Sequence, residues 1–218
     1  MFEAPTILSE KYPIVHLFLN ELRDSNLQLD RQRCPFNTER KGEVLALEIS
    51  QHLDYQPIEV HTPLGLAESV QLAEQPVLAV ILRAALPLQQ GFLRVFDRAD
   101  NAFIAAYRKH TSENEFIVQL EYLSSPELAD RVVILLDPMI ATGRSMVLAY
   151  EQLIQFGQPK RLFVAGVIGC EEGIEHVQRH LPHASVVVGA IDSELTARGY
   201  IVPGLGDAGD LAFGEKNG

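Results

Sequence analysis

Residues 131–146 read Arg-Val-Val-Ile-Leu-Leu-Asp-Pro-Met-Ile-Ala-Thr-Gly-Arg-Ser-Met, from Arg131 to Met146. Apolar side chains fill 132–136 without polar alternation, which suits a strand buried on both faces of a parallel sheet. Asp137 ends the strand, a short loop follows, and a helix is expected from 145 to 156. Residues 141–145 then present several backbone N–H groups at a helix start, where unpaired donors and the macrodipole favour an anion. Gly143 permits close backbone approach, and the hydroxyls of Thr142 and Ser145 add donors. This arrangement suits a phosphate monoester. It is not the nucleoside-triphosphate loop, which needs a Gly-Lys-Ser/Thr ending that is absent here. At the strand end, Asp137 is placed to accept hydrogen bonds from vicinal sugar hydroxyls. The plain alternative is that Asp137 only terminates the strand and that Thr142 or Ser145 caps the helix. Arg144, a cation in a first helical turn, opposes the macrodipole by roughly 0.3–1 kcal/mol. A bound anion would remove that conflict, as would an arginine directed into solvent.

Outward from this stretch the same alternation recurs. Strand-length apolar runs at 77–82, 103–107, 162–168 and 186–191 alternate with helical patterns at 86–96 and 171–180, which predicts an open α/β sheet. Ligands in such folds sit at the carboxyl ends of the strands. One segment breaks the rule: 103–109 and 116–123 are both strand-like across the polar run 110–115, which reads as an antiparallel hairpin arm. It either reaches over a partner subunit or is solvated. Upstream, two helices are expected, at 13–24 and from Asn37 or Thr38 to about Leu53, with Leu45, Ile49 and Leu53 on one face. Pro57 and Pro63 then punctuate a short extended stretch.

The bulk properties narrow the function. At 218 residues the chain fits one domain, with room for a small appended flap, and can bury a proper core. Hydrophobic residues make up 47% and charged residues 22%, as in ordinary globular proteins. A formal charge of −11 argues against a nucleic-acid binder, which needs a basic face to displace counterions. No apolar run is long enough to span a bilayer, and residues 1–19 lack a signal-peptide pattern, so neither membrane insertion nor export is expected. Cys34 and Cys170 lack metal-ligand spacing and read as free thiols in a reducing, cytoplasmic setting.

The run 137–145 closely resembles the phosphoribosyl pyrophosphate (PRPP) signature of the type I phosphoribosyltransferases, and its Asp-Pro-Met form resembles the uracil branch. The run Gly199-Tyr-Ile-Val-Pro-Gly-Leu-Gly-Asp-Ala-Gly-Asp210, with Phe213-Gly214 after it, is similar to that branch's base-binding loop nearly residue for residue. Ile81-Leu82-Arg83-Ala84 and Tyr107-Arg108 match in order, so the resemblance covers about 76–214. It implies a parallel five-stranded sheet flanked by helices, with a small hood, and transfer of phosphoribose from PRPP to uracil.

The same resemblance implies roles for residues. Loop residues Pro138, Met139, Ile140, Ala141, Thr142, Gly143, Arg144 and Ser145 would hold PRPP around its 5-phosphate, with Asp137 on the ribose hydroxyls. Arg83 and Arg108 would take mainly the pyrophosphate, with Asp137, Asp207 and Arg108 closest to the chemistry. Mg²⁺ is the implied cofactor, and Asp207 the acid facing it, directly or through water. Uracil would be read by the Ile201 carbonyl and the Gly206 and Ala208 amides, with Asp207 alongside and Tyr200 packing on the base or closing the hood. By the same resemblance the core spans about 70–192, and the hood draws on the N-terminal region and 193–218. The hairpin arm, for its part, suggests at least a dimer, so a homodimer or larger homo-oligomer is expected. Two positions depart from the pattern: Arg144 and Ala85 stand where glycine is common. Two further alternatives remain on the same fold, a pyrimidine-responsive RNA-binding regulator and a non-catalytic PRPP sensor.

Overall fold

A computed structural model describes residues 4–110 and 116–215, with side chains for all of these except 29 and 106–120. Residues 4–62 supply β1 (Thr6–Ile7), α1 (Leu8–Lys11), α2 (Ile14–Arg23), α3 (Arg33–Ser50) and β2 (Tyr55–Thr62). Then follow β3 (Gly65–Leu72), β4 (Val77–Leu82), α4 (Leu86–Val95), β5 (Asp100–His110) and β6 (Phe116–Ser124). The stretch from 131 to 153 supplies β7 (Val132–Leu136), β8 (Met139–Ile140) and α5 (Arg144–Leu153). Beyond it lie β9 (Arg161–Cys170), α6 (Glu171–His180), β10 (Ala184–Asp192), β11 (Glu194–Leu195), β12 (Ile201–Val202) and α7 (Ala208–Phe213).

Five strands pair in parallel in the order β10-β9-β7-β4-β5, as the apolar runs predict. Short β1 extends one edge in parallel, and β6 closes the other as the antiparallel partner of β5. Strand periodicity divides the core in two. Leu78, Val80, Ile134, Leu136, Phe163 and Val167 face the layer of α3 and α4. Val77, Ala79, Val133, Leu135, Leu162 and Val164 face the layer of α5 and α6. Both faces are therefore covered, which is why these strands are apolar on consecutive residues.

Taken along the chain, the parallel strands lie in the order 2-1-3-4-5, so the sheet reverses direction of winding between β4 and β7. A crevice opens outside the carboxyl ends of strands at such a switch point. Arg83 leaves β4 there and Asp137 leaves β7. Helices α3 and α4 pack so closely that a Cβ on Gly42 would press on the Leu88 carbonyl, and one on Gly91 on the Glu39 carbonyl. Among the described residues no helix is long and apolar enough to cross a membrane.

The N-terminal reading needs correction in detail. Helix α3 begins at Arg33, four residues before Asn37, because Pro35 falls in its first turn, where its missing N–H has no acceptor to lose. The stretch around Pro57 and Pro63 is a full antiparallel hairpin, β2 with β3, separate from the main sheet. Its residues are almost all exposed, so no alternating pattern marked it.

Candidate active site

The loop after β7 is built from the inside out. Asp137 donates its backbone N–H to the Ala165 carbonyl, and its Oδ1 accepts the Met139 amide at 3.1 Å, turning the chain back toward the sheet. The Pro138 carbonyl accepts the amides of Val167 and Ile168, and β8 pairs with β9. Pro138 and Ile140 are buried and Met139 is partly so; this half of the loop is pinned to the sheet. The half that can face a ligand is 141–145. Gly143 caps α5 at φ +72°, a conformation that costs a residue with a Cβ, and any Cβ there would drive into the Gly173 carbonyl of α6. The first-turn amides of α5 have no carbonyl one turn back to bond, so this helix start keeps anion-binding capacity. Thr142 and Ser145 are part-exposed beside it, and the cap position itself is Gly143, which has no side chain to offer. Arg144 is exposed, and its charge reaches α6: His176 is held below its ordinary range by burial first, then by His180 and Arg144.

Arg83 follows β4, and its peptide with Leu82 is cis. Ala85 adopts an ordinary helical conformation at φ −81°, ψ −4°, so a residue with a Cβ fits there without strain. The Arg83 side chain runs across to the C-terminal segment. Its Nη2 donates to the Gly214 carbonyl at 2.9 Å and lies 3.3 Å from Asp210 Oδ1, and its guanidinium sits 5.8 Å from the Phe213 ring. Nε of Arg83 is buried and has no partner among the described residues. Arg108 lies on β5 in register with Val118; its side chain lies outside the described residues.

The C-terminal segment is more ordered than its glycines suggest. Glu194–Leu195 pair antiparallel with Ile201–Val202, closed by a Thr196–Tyr200 turn in which the Tyr200 amide reaches Thr196 Oγ1 at 3.1 Å. Tyr200 itself is exposed. A cis Val202–Pro203 peptide leads into Gly204 at φ +56°, where a Cβ would press on the Ile201 carbonyl. Glycine there leaves that carbonyl uncovered. Gly206 and Asp207 are exposed, Ala208 is buried, and Asp207 Oδ1 caps α7 by accepting the Asp210 amide at 2.9 Å. Helix α7 packs on the Arg83 loop: a Cβ on Gly209 would lie 3.8 Å from that of Ala84. Thus the loops after β4 and β12 meet, joined by Arg83 and Asp210. Sequence reading missed Asp210 as a partner of Arg83, although its place three residues after a capping aspartate was visible.

Metal-binding capacity is modest. Among the described residues no group of three or more His, Cys, Asp and Glu could hold a metal ion. Asp207 offers one exposed carboxylate, hard oxygen chemistry that fits an Mg²⁺ otherwise held by substrate oxygens and water.

The crevice at the switch point thus gathers the start of α5, a strand-terminal acid and an arginine loop on one edge of the sheet. The family model described as "Uracil phosphoribosyltransferase" matches residues 9–215. A protein of that name from Porphyromonas gingivalis is 44% identical over 96% of this chain and 97% of its own. Another, from Thermococcus gammatolerans, is 36% identical over 94% and 91%. Among solved structures, the AQ2163 protein from Aquifex aeolicus superposes with a TM-score of 0.84 at 28% identity, covering 93% of this chain and 95% of that one. The chain belongs to the uracil phosphoribosyltransferase family.

Proposed function

We propose that the protein transfers phosphoribose from PRPP to uracil, giving UMP and pyrophosphate in pyrimidine salvage. The observation that carries this reading is the docking of the base-binding loop on the Arg83 loop through the Arg83–Asp210 contact. It brings the parts suited to a base and to a pyrophosphate side by side.

In this reading the amides at the start of α5, with the Thr142 and Ser145 hydroxyls, hold the 5-phosphate, and Asp137 accepts from the ribose hydroxyls. Arg83 and Arg108 bind the pyrophosphate through planar forks that match paired phosphate oxygens. The bond from the anomeric carbon to the pyrophosphate oxygen breaks as the bond to uracil N1 forms, and the N1 proton is released. Positive charge grows on the sugar while negative charge gathers on the leaving group, where the arginines stabilise it. Asp207 would hold Mg²⁺, directly or through water, and the ion when bound supplies further neutralisation of the pyrophosphate. The Ile201 carbonyl accepts from uracil N3–H, and the Gly206 and Ala208 amides donate to the two ring carbonyls. Cytosine would leave buried groups unpaired, at about 1–3 kcal/mol each. Tyr200 covers the base from the exposed side.

The protein works in the cytoplasm as a homodimer or larger assembly. Leu64, Leu66 and Val70 stand exposed on the β2–β3 hairpin, an apolar surface of the kind that subunits cover. No observation favours the RNA-regulator or sensor alternatives. A base panel tests the reading: with PRPP and Mg²⁺, uracil alone is consumed, and cytosine, orotate and hypoxanthine are not. Consumption of another base in preference to uracil would overturn it.

A further inference from the structure

Behind the base-binding turn stands a buried ion pair that spans the chain. Asp192 ends β10 with its side chain 8% exposed. Its Oδ1 accepts from Arg23 Nη2 of α2 at 2.7 Å, and its Oδ2 accepts the backbone N–H of Gly204 at 2.9 Å. The next residue is held from the same side: Gln28 Nε2 donates to the Leu205 carbonyl at 2.8 Å and to the Leu22 carbonyl of α2 at 2.6 Å. Arg23 acting through Asp192, and Gln28 just beyond α2, therefore hold the two residues at the apex of the loop, between the Ile201 carbonyl and the Gly206 amide.

A carboxylate this buried needs a close cation, and such a pair adds little stability over an apolar substitute. What it supplies is direction. With Arg23 on one oxygen, the other makes a charge-assisted bond to a single backbone N–H. That bond fixes a turn in which a displacement of about 1 Å would misalign three hydrogen bonds to a flat base.

We infer that Asp192, backed by Arg23, is a positioning residue for base recognition, holding the Gly204 turn so that the Ile201, Gly206 and Ala208 backbone groups meet uracil. This rests on the proposed transferase function. It gives the N-terminal helices a role in specificity, and among the described residues the Asp192 carboxylate bonds Arg23 and Gly204 rather than the loops after β4 and β7.

The test compares the wild type with Asp192→Asn and Arg23→Gln in steady-state assays varying each substrate, with hydrogen–deuterium exchange of the 201–206 segment in parallel. Both variants should raise KM for uracil by roughly tenfold, with KM for PRPP and kcat at saturation within about threefold. The amides of 201–206 should exchange faster. An unchanged uracil KM with unchanged exchange would overturn the inference, and so would equal losses for both substrates accompanied by a lowered Tm, which mark a structural role. If Asp192→Asn does not fold, Arg23→Gln decides, because that side chain is 23% exposed and lies on the outer side of the pair. A wild type that forms no UMP would sink the transferase reading instead, and the exchange data would still decide whether Asp192 holds the loop.

Discussion

Lys41 enters the core from α3 with 1% of its surface exposed, and its Nζ has no hydrogen-bond partner among the described residues. Burial first, and then the positive charge of Arg23, lower its pKa from 10.5 to about 7. Between these values the unfolded chain carries a proton that the folded chain lacks, so stability rises with pH across that window and levels off below it. Lys41→Met removes the buried amine and should stabilise the protein by about 1–3 kcal/mol near neutral pH. Urea titrations at pH 6.5, 7.5 and 8.5 should show the advantage of the variant shrinking as pH rises. A constant difference would refute the lowered pKa. At the site, Arg83→Lys loses the planar fork proposed for the pyrophosphate together with the Nη2 contacts to Gly214 and Asp210, and should raise KM for PRPP by on the order of tenfold, about 1.4 kcal/mol. Candidate site residues were legible where they fell in a quoted run, as Asp137, Asp207 and Arg83 do. Asp192 and Arg23 could not, because 169 positions separate them and neither stands in a motif. Lys41 was hidden for a simpler reason: lysines are usually exposed, and nothing local marks one that is buried.

Elements were legible in proportion to their apolar patterning. The runs at β4, β7, β9 and β10 are continuous because two helical layers cover them, and the sequence shows that directly. Strands β2 and β3 pair only with each other at the surface, so burial leaves little imprint on their residues, and β11 and β12, at two residues each, are too short to show a period. Helix α7 hid inside the Gly/Asp-rich run, since its six residues are too few to display a period. The contact of the phosphate loop with α6 was equally silent, and it yields a prediction at this scale. Gly143→Ala would place a Cβ against the Gly173 carbonyl at a φ that disfavours it by roughly 1–2 kcal/mol. The start of α5 must then shift. KM for PRPP should rise tenfold or more and Tm should fall, while KM for uracil, read on a separate loop, changes little. A variant with unaltered PRPP kinetics would show that the loop does not bind the substrate phosphate.

Across the whole molecule, the switch point between β4 and β7 explains why the informative residues lie where they do. Parallel strands deliver Arg83 and Asp137 to one crevice, and the C-terminal segment returns to the Arg83 loop through α7. The βαβ alternation revealed the first half of that arrangement. The second depends on contacts between distant segments, and only the family resemblance pointed to it. Assembly is predicted at this scale too: sedimentation should give at least twice the 24.2 kDa of one chain, and a single species at that mass would remove the homo-oligomer. The most direct measurement follows radiolabelled uracil into UMP with PRPP and Mg²⁺, wild type beside Asp207→Asn, whose amide oxygen still caps α7 while the charge is lost. The account predicts UMP and pyrophosphate in equal amounts from the wild type, and a rate lower on the order of 10²-fold in the variant. No UMP from a folded wild type that binds PRPP would contradict it.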